Sequence, residues 1–176
     1  MGEGEKEEVD EVLSGVRGLL KELEIETEDF HKKIRGKYAA HEKVIEALRK
    51  KWLETRGFGR AKAPYVPPGG TYGIDFLGRD FERGRIILAV EVDSWPKAIV
   101  SWQKLADIRA PYKIWIYLAR DERAQLDFKF AIYEIINFLR SRDERRDEFG
   151  NLVVFMKGPK DVFREEVIFT ESNVLR

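Results

Sequence analysis

The sequence predicts an α/β domain with a mixed central sheet, preceded by an N-terminal helical arm. Three observations carry that reading. Ile86 to Val90 is an uninterrupted apolar run, the pattern of a strand buried on both faces. Strand, helix and strand patterns follow one another between Arg85 and Ala119, a spacing that fits a right-handed parallel crossover. Ahead of them, two long stretches carry apolar residues at helical spacing.

At 176 residues the chain is long enough to bury a real core. The arm is placed at residues 1–27 and the α/β domain at 28–176. A hydrophobic share of 43%, with 11 Phe, 6 Tyr and 4 Trp, argues against disorder. No apolar run approaches the ~20 residues of a membrane span, and the acidic start has no signal-peptide pattern, so a cytoplasmic location is expected. With no cysteine and only His31 and His41, any metal would be held by oxygen. Charged residues make up 36%, a balance that fits a thermophile's ion-pair-rich surface.

The net charge of zero conceals an uneven distribution. Residues 1–29 carry 3 basic and 11 acidic side chains, net −8, and residues 30–62 carry 11 basic and 3 acidic, net +8. Such asymmetry fits a basic binding face beside an acidic arm, and equally two solvated helices exchanging ion pairs.

In chain order, Val9, Val12, Leu13, Val16, Leu19, Leu20 and Leu23 form the stripe of an amphipathic helix over Glu5–Glu24, which must pack on its own core or on a second subunit. A second helix is expected from Thr27 as N-cap, with the stripe Phe30, Ile34, Tyr38, His41, Ile45, Leu48 and Trp52, ending at Gly57. Phe58–Val66 reads as a short strand limited by Pro64, and 67–70 as a turn. Thr71–Leu77 and Arg85–Asp93 read as antiparallel partners across a polar connection, Gly78–Gly84. A turn centred near Arg83 sets Asp75 opposite Glu91. Ser94 and Pro96 open a helix over Trp95–Arg109, with Lys97, Ser101, Lys104 and Ile108 on one face. Tyr112–Ala119 alternates as a strand, Asp121–Arg142 is a helix, Arg140–Asn151 a charged turn, and Leu152–Met156 a last strand. Val162–Thr170 fits strand and helix alike.

Glu91 and Asp93, two apart on a strand, share a face, and the expected register brings Asp75 beside them. Carboxylates this close repel unless a cation neutralises them. Magnesium suits oxygen ligands of this kind and can polarise a phosphodiester. From spacing alone, a solvated strand end paired with Lys and Arg accounts for the acids equally well.

The element order, a helix, three strands with Asp75 in the second and Glu91-x-Asp93 in the third, then helix and strand, resembles the PD-(D/E)xK nuclease superfamily, which includes restriction endonucleases and archaeal Holliday junction resolvases. The match covers about Gly36 to Ala119. The resemblance implies a restriction endonuclease-like αβββαβ core and a Mg²⁺- or Mn²⁺-dependent endodeoxyribonuclease, with Asp75 and Glu91 as metal ligands; Asp93 would then be a third ligand or the base that orients the water. It implies Glu42 as a helix-one acid and Gln103 as the helix glutamine of recombination-type nucleases. The family's lysine is replaced by Asp93, and Lys104 or Lys97 from the next helix would take its place. The same loss is what an inactive descendant would show, and a resolvase-like fold is used for binding by an archaeal TATA-binding-protein-interacting protein.

No P-loop, dinucleotide glycine motif or nucleophile elbow is present. Lys43, Lys50, Lys51, Arg60 and Lys62 are candidate phosphate contacts, and Lys32, Lys33, Lys37 and Arg49 belong to the same basic run. Trp95, Trp102 and Trp115 fit base stacking, and fit core packing better. The leading expectation is a DNA endonuclease. The competing one is an inactive nuclease-fold protein that binds DNA, or a protein partner through its acidic arm or its basic helix, and a third is a homodimer formed through the Val9–Leu23 stripe.

Overall fold

The computed structural model describes residues 3–34, 36–56, 73–80, 85–94, 98–106, 108, 110–140, 151–160 and 162–169. Helix α1 spans Glu3–Glu22 and is followed by a 3₁₀ turn, Thr27–Phe30. A small hairpin, β1 (Lys33–Ile34) and β2 (Lys37–Tyr38), leads into α2 (Ala39–Arg56). Then come β3 (Phe76–Asp80), β4 (Arg85–Asp93), α3 (Ala98–Ala106), β5 (Tyr112–Leu118), α4 (Glu122–Arg140), β6 (Asn151–Lys157) and β7 (Phe163–Phe169).

The main sheet has the order β3-β4-β5-β6-β7. The β4–β5 and β5–β6 pairs are parallel and the two flanking pairs antiparallel, so the sheet is mixed, as expected. Each parallel pair is bridged by a helix, α3 and then α4. Residues alternate between the faces. Leu88, Val90, Val92, Ile114 and Ile116 pack with α1 and α2, whereas Ala89, Trp115, Tyr117, Val154 and Met156 pack with α3 and α4. The apolar run of β4 is thereby explained: both its faces are covered.

The α1 stripe packs on the chain's own core. Val12, Val16 and Leu20 are buried in the same cluster as Val44 and Leu48 of α2 and Val90 of the sheet. A forked ion pair adds to this: Arg17 Nε and Nη2 donate to the two carboxylate oxygens of Glu165 in β7 at 2.6 and 2.7 Å.

The structure corrects the expected second helix. Thr27 is not its N-cap; Thr27–Phe30 is a 3₁₀ turn whose cap is Glu26, with the Glu26 N–H donating to Asp29 Oδ2 at 2.9 Å. Helix α2 starts only at Ala39. The break is local chemistry: Gly36 takes φ 85°, which turns β1 back on β2 and pairs Lys33 with Tyr38. Ile34, placed on the expected stripe, is 40% exposed, while Phe30, His41, Ile45 and Leu48 are buried as that stripe required. Gly57 and the strand expected over Phe58–Val66 lie outside the described residues.

Strand β3 also differs from expectation. It runs to Asp80, with a register shift between Gly78 and Arg79, so three residues assigned to the connection belong to the ladder. Backbone pairing needs only aligned amides, and polar side chains do not forbid it. The ambiguous Val162–Thr170 segment is a strand, β7, antiparallel to β6.

Candidate active site

The ladder pairs Phe76 with Val90, and one further step in that register sets Asp75 opposite Glu91. Each side chain accepts from a backbone N–H of the opposite segment. The Asp75 N–H donates to Glu91 Oε1 at 3.1 Å, and the Val92 N–H donates to Asp75 Oδ2 at 3.0 Å. Asp75 therefore caps the ladder where β3 begins, and Glu91 is held at the carboxyl end of β4 with 1% exposure.

Two lysines reach this pair from opposite sides of the sheet. Lys104, in the last turn of α3, donates to Glu91 Oε2 at 2.7 Å. Lys37, from β2, donates to Asp75 Oδ1 at 2.7 Å. His41, buried in the first turn of α2, brings Nε2 to 3.3 Å from Asp75 Oδ2 and 3.2 Å from Lys37 Nζ. One ring nitrogen cannot accept from the ammonium and donate to the carboxylate at once, so Nε2 serves one of them at a time. His41 Nδ1 lies 3.3 Å from Glu42 Oε1 without the geometry of a hydrogen bond.

Asp93 turns to other partners. Its Oδ2 accepts from Ser101 Oγ of α3 and, at 2.8 Å, from Trp115 Nε1 of β5. Ser101 and Lys104 are three apart on one helical face, so a single turn of α3 reaches both acids of β4.

The charges at the site are unbalanced. Burial alone would raise the Asp75 carboxyl, but the hydrogen bond and charge of His41, with Lys37 and the Val92 amide, hold it well below the usual carboxylate range. Burial, followed by the negative charge of Asp75, raises Glu91 to about 8 despite the opposing Lys104. The contact with Lys104 and the raised value pull in opposite directions. Together they mean that one ammonium does not offset burial plus two neighbouring carboxylates. Asp93 is raised by burial, against its bonds from Ser101 and Trp115, with Asp75 adding to the rise.

Among the described residues, no group of three or more His, Asp or Glu side chains is arranged to hold a metal ion. The pair Asp75 and Glu91 still fits one in kind. Both supply hard oxygen donors, Glu91 is short of positive charge, and magnesium is commonly held by one or two carboxylates with waters and phosphate completing its shell.

The remaining expected site residues fall elsewhere. Lys43 is exposed and donates to Asp29 Oδ2 at 2.6 Å. Lys50 and Lys51 are exposed on α2, and Lys43 and Lys50 line an open groove of about 870 Å³ with Leu23, Ile34 and Glu46. Gln103 lies on α3, with its side chain outside the described residues, as are Lys97, Arg60 and Lys62. The residues that the sequence did not bring to this site are Lys37, His41, Ser101 and Trp115. The four-residue step from Lys37 to His41 was a signal for their contact, but nothing in it points to Asp75.

Compared with protein-family models, curated proteins and solved structures, the chain gives no match. No described helix is long and apolar enough to cross a membrane.

Proposed function

We propose that the chain is a divalent-metal-dependent endonuclease-like protein acting on DNA, with a restriction endonuclease-like core. The observation that carries this reading is the placement of Lys104 on Glu91, beside Asp75, at the end of a buried strand. An Asp, a Glu and a Lys thus meet although no lysine follows Glu91 in the strand.

In this reading Asp75 and Glu91 hold Mg²⁺ or Mn²⁺, which when bound polarises the phosphodiester and acidifies a water. The side chains do the rest. Lys104, drawn from Glu91 toward the scissile phosphate, stabilises charge gathering on its oxygens. Asp93 is a positioning residue: through Ser101 it fixes the turn of α3 that carries Lys104. Lys37 neutralises Asp75 in the absence of an ion.

The test is incubation with plasmid, flap and four-way-junction DNA in Mg²⁺ or Mn²⁺. Cleavage is expected, with Asp75→Ala and Glu91→Ala each abolishing it. Cleavage that survives Asp75→Ala overturns the assignment.

A second reading, an inactive nuclease fold that binds DNA or a protein partner, is favoured by one observation: each of the three acids already accepts a hydrogen bond from a side chain of the chain itself. It predicts no cleavage under any of these conditions. Because α1 packs in the core, a partner for the acidic segment is tested by reversing Glu22, Glu24 and Glu28, all exposed, rather than by deleting the helix.

A further inference from the structure

Helix α4 is apolar on two opposite sides. Ala124, Phe128, Ala131 and Ile135, at steps of four, three and four, are buried against the sheet. Leu126, Phe130 and Tyr133 repeat the same spacing on the far side and are 61%, 71% and 65% exposed. A helix packed on one face is ordinarily polar on the other. Three large apolar side chains in a row on that face mark a surface built to be covered.

Its charge pattern indicates what covers it. In a heptad frame, Leu126 and Tyr133 take the d positions and Phe130 and the exposed Asn137 the a positions. Lys129 and Glu134, both exposed, then flank the seam at g and the following e. In a parallel pair of such helices, g of one subunit meets the following e of the other, so Lys129 faces Glu134 twice around the two-fold axis. An antiparallel pair would instead bring Asp127 and Glu134, both on the e edge, close to each other. Glu122 facing Asp127, and the exposed Arg123 meeting its own copy at an a position, oppose the parallel arrangement, both at its N-terminal end. Asn137 meets itself at an a position, where a polar residue fixes register at some cost in affinity.

We propose that the exposed face of α4 is a homodimer interface, in which a second copy of this chain pairs its own α4 in parallel through Leu126, Phe130 and Tyr133. The three side chains present roughly 400 Å² per subunit, on the order of 800 Å² for the pair, given the size of aromatic side chains. That is below the ~1,200 Å² of a standard interface, so the dimer is weak and concentration-dependent.

Sedimentation equilibrium of the full chain between about 1 µM and about 1 mM tests this. A reversible monomer–dimer equilibrium is expected. Phe130→Glu should weaken it by at least about thirtyfold, as for a central aromatic anchor, with the circular dichroism of the monomer unchanged. Lys129→Glu should weaken it by about two- to fivefold, and adding Glu134→Lys should restore it. The chain has no cysteine, so Asn137→Cys provides a clean probe: in a parallel pair it forms a disulfide-linked dimer under mild oxidation. A monomer at every concentration overturns the proposal, as does a dimer indifferent to Phe130→Glu or one that Asn137→Cys fails to cross-link.

Discussion

Lys104 donates to Glu91 Oε2 at 2.7 Å across the α3–β4 junction, and the carboxylate it meets is 1% exposed. A buried acid of this kind depends on its partner more than a surface acid does, because no water replaces a lost ammonium. Lys104→Met should cost about 1–3 kcal/mol, and Glu91 should then stay protonated to still higher pH. Glu91→Gln should cost no more than that. The double variant should be more stable than the sum of the two losses predicts, and urea denaturation of all four proteins measures the difference. A coupling below about 0.5 kcal/mol would show the contact to be energetically idle.

Stability should fall as pH rises through the neutral range. Glu91 goes from an ordinary value of 4.5 to about 8 on folding, so between those values the folded state binds the proton that the unfolded state has released. Its contribution is therefore lost between about pH 4.5 and 8, and Asp93, also raised, acts in the same direction. Glu91→Gln should flatten that limb of the curve. Under the proposed function, stabilisation by Mn²⁺ should grow over the same window, because the ion competes with the proton.

The acid limb belongs to Asp75. Its carboxyl is lowered from 3.8 on folding, so it contributes stability above that pH and loses it as the pH falls below. His41→Phe keeps the buried site filled but removes the largest of the contacts that lower Asp75. The acid-unfolding midpoint should move to higher pH in this variant, followed by tryptophan fluorescence.

Gly158 leaves no room for a side chain. A Cβ there would sit 2.8 Å from Val162 Cγ1, 2.9 Å from Val162 Cβ and 3.1 Å from the Ala119 carbonyl oxygen. Valine is stiff about χ1 and cannot swing aside. Gly158→Ala should lose about 1–3 kcal/mol, and Val162→Ala in the same chain should recover part of it. Thermal unfolding of the single and double variants distinguishes this from a general intolerance of the turn.

Counting back from a turn near Arg83 set Asp75 opposite Glu91, and the Phe76–Val90 pair lies in that register, with a shift at Gly78–Arg79 between it and the connection that the count did not foresee. Lys104 was readable as the helix face that follows β4. The segment from Thr27 to Tyr38 was not, because Phe30, Ile34 and Tyr38 mimic a helical stripe while Gly36 bends the backbone into a hairpin. Lys37 reaches Asp75 from 38 residues away, and no local spacing encodes that approach. For β7, Val162–Thr170 is equally apolar in either periodicity, and pairing with β6 decides the matter.

The fork between Arg17 and Glu165 joins residues 148 apart in the chain. During synthesis α1 is made well before β7, so its buried face can meet α2 early while its ion pair must wait for Glu165. Closing so long a loop is slow, since its entropy is lost before any contact compensates. The contact between α1 and β7 is thus completed late, and refolding should show a late phase that Arg17→Ala leaves largely unchanged while it speeds unfolding.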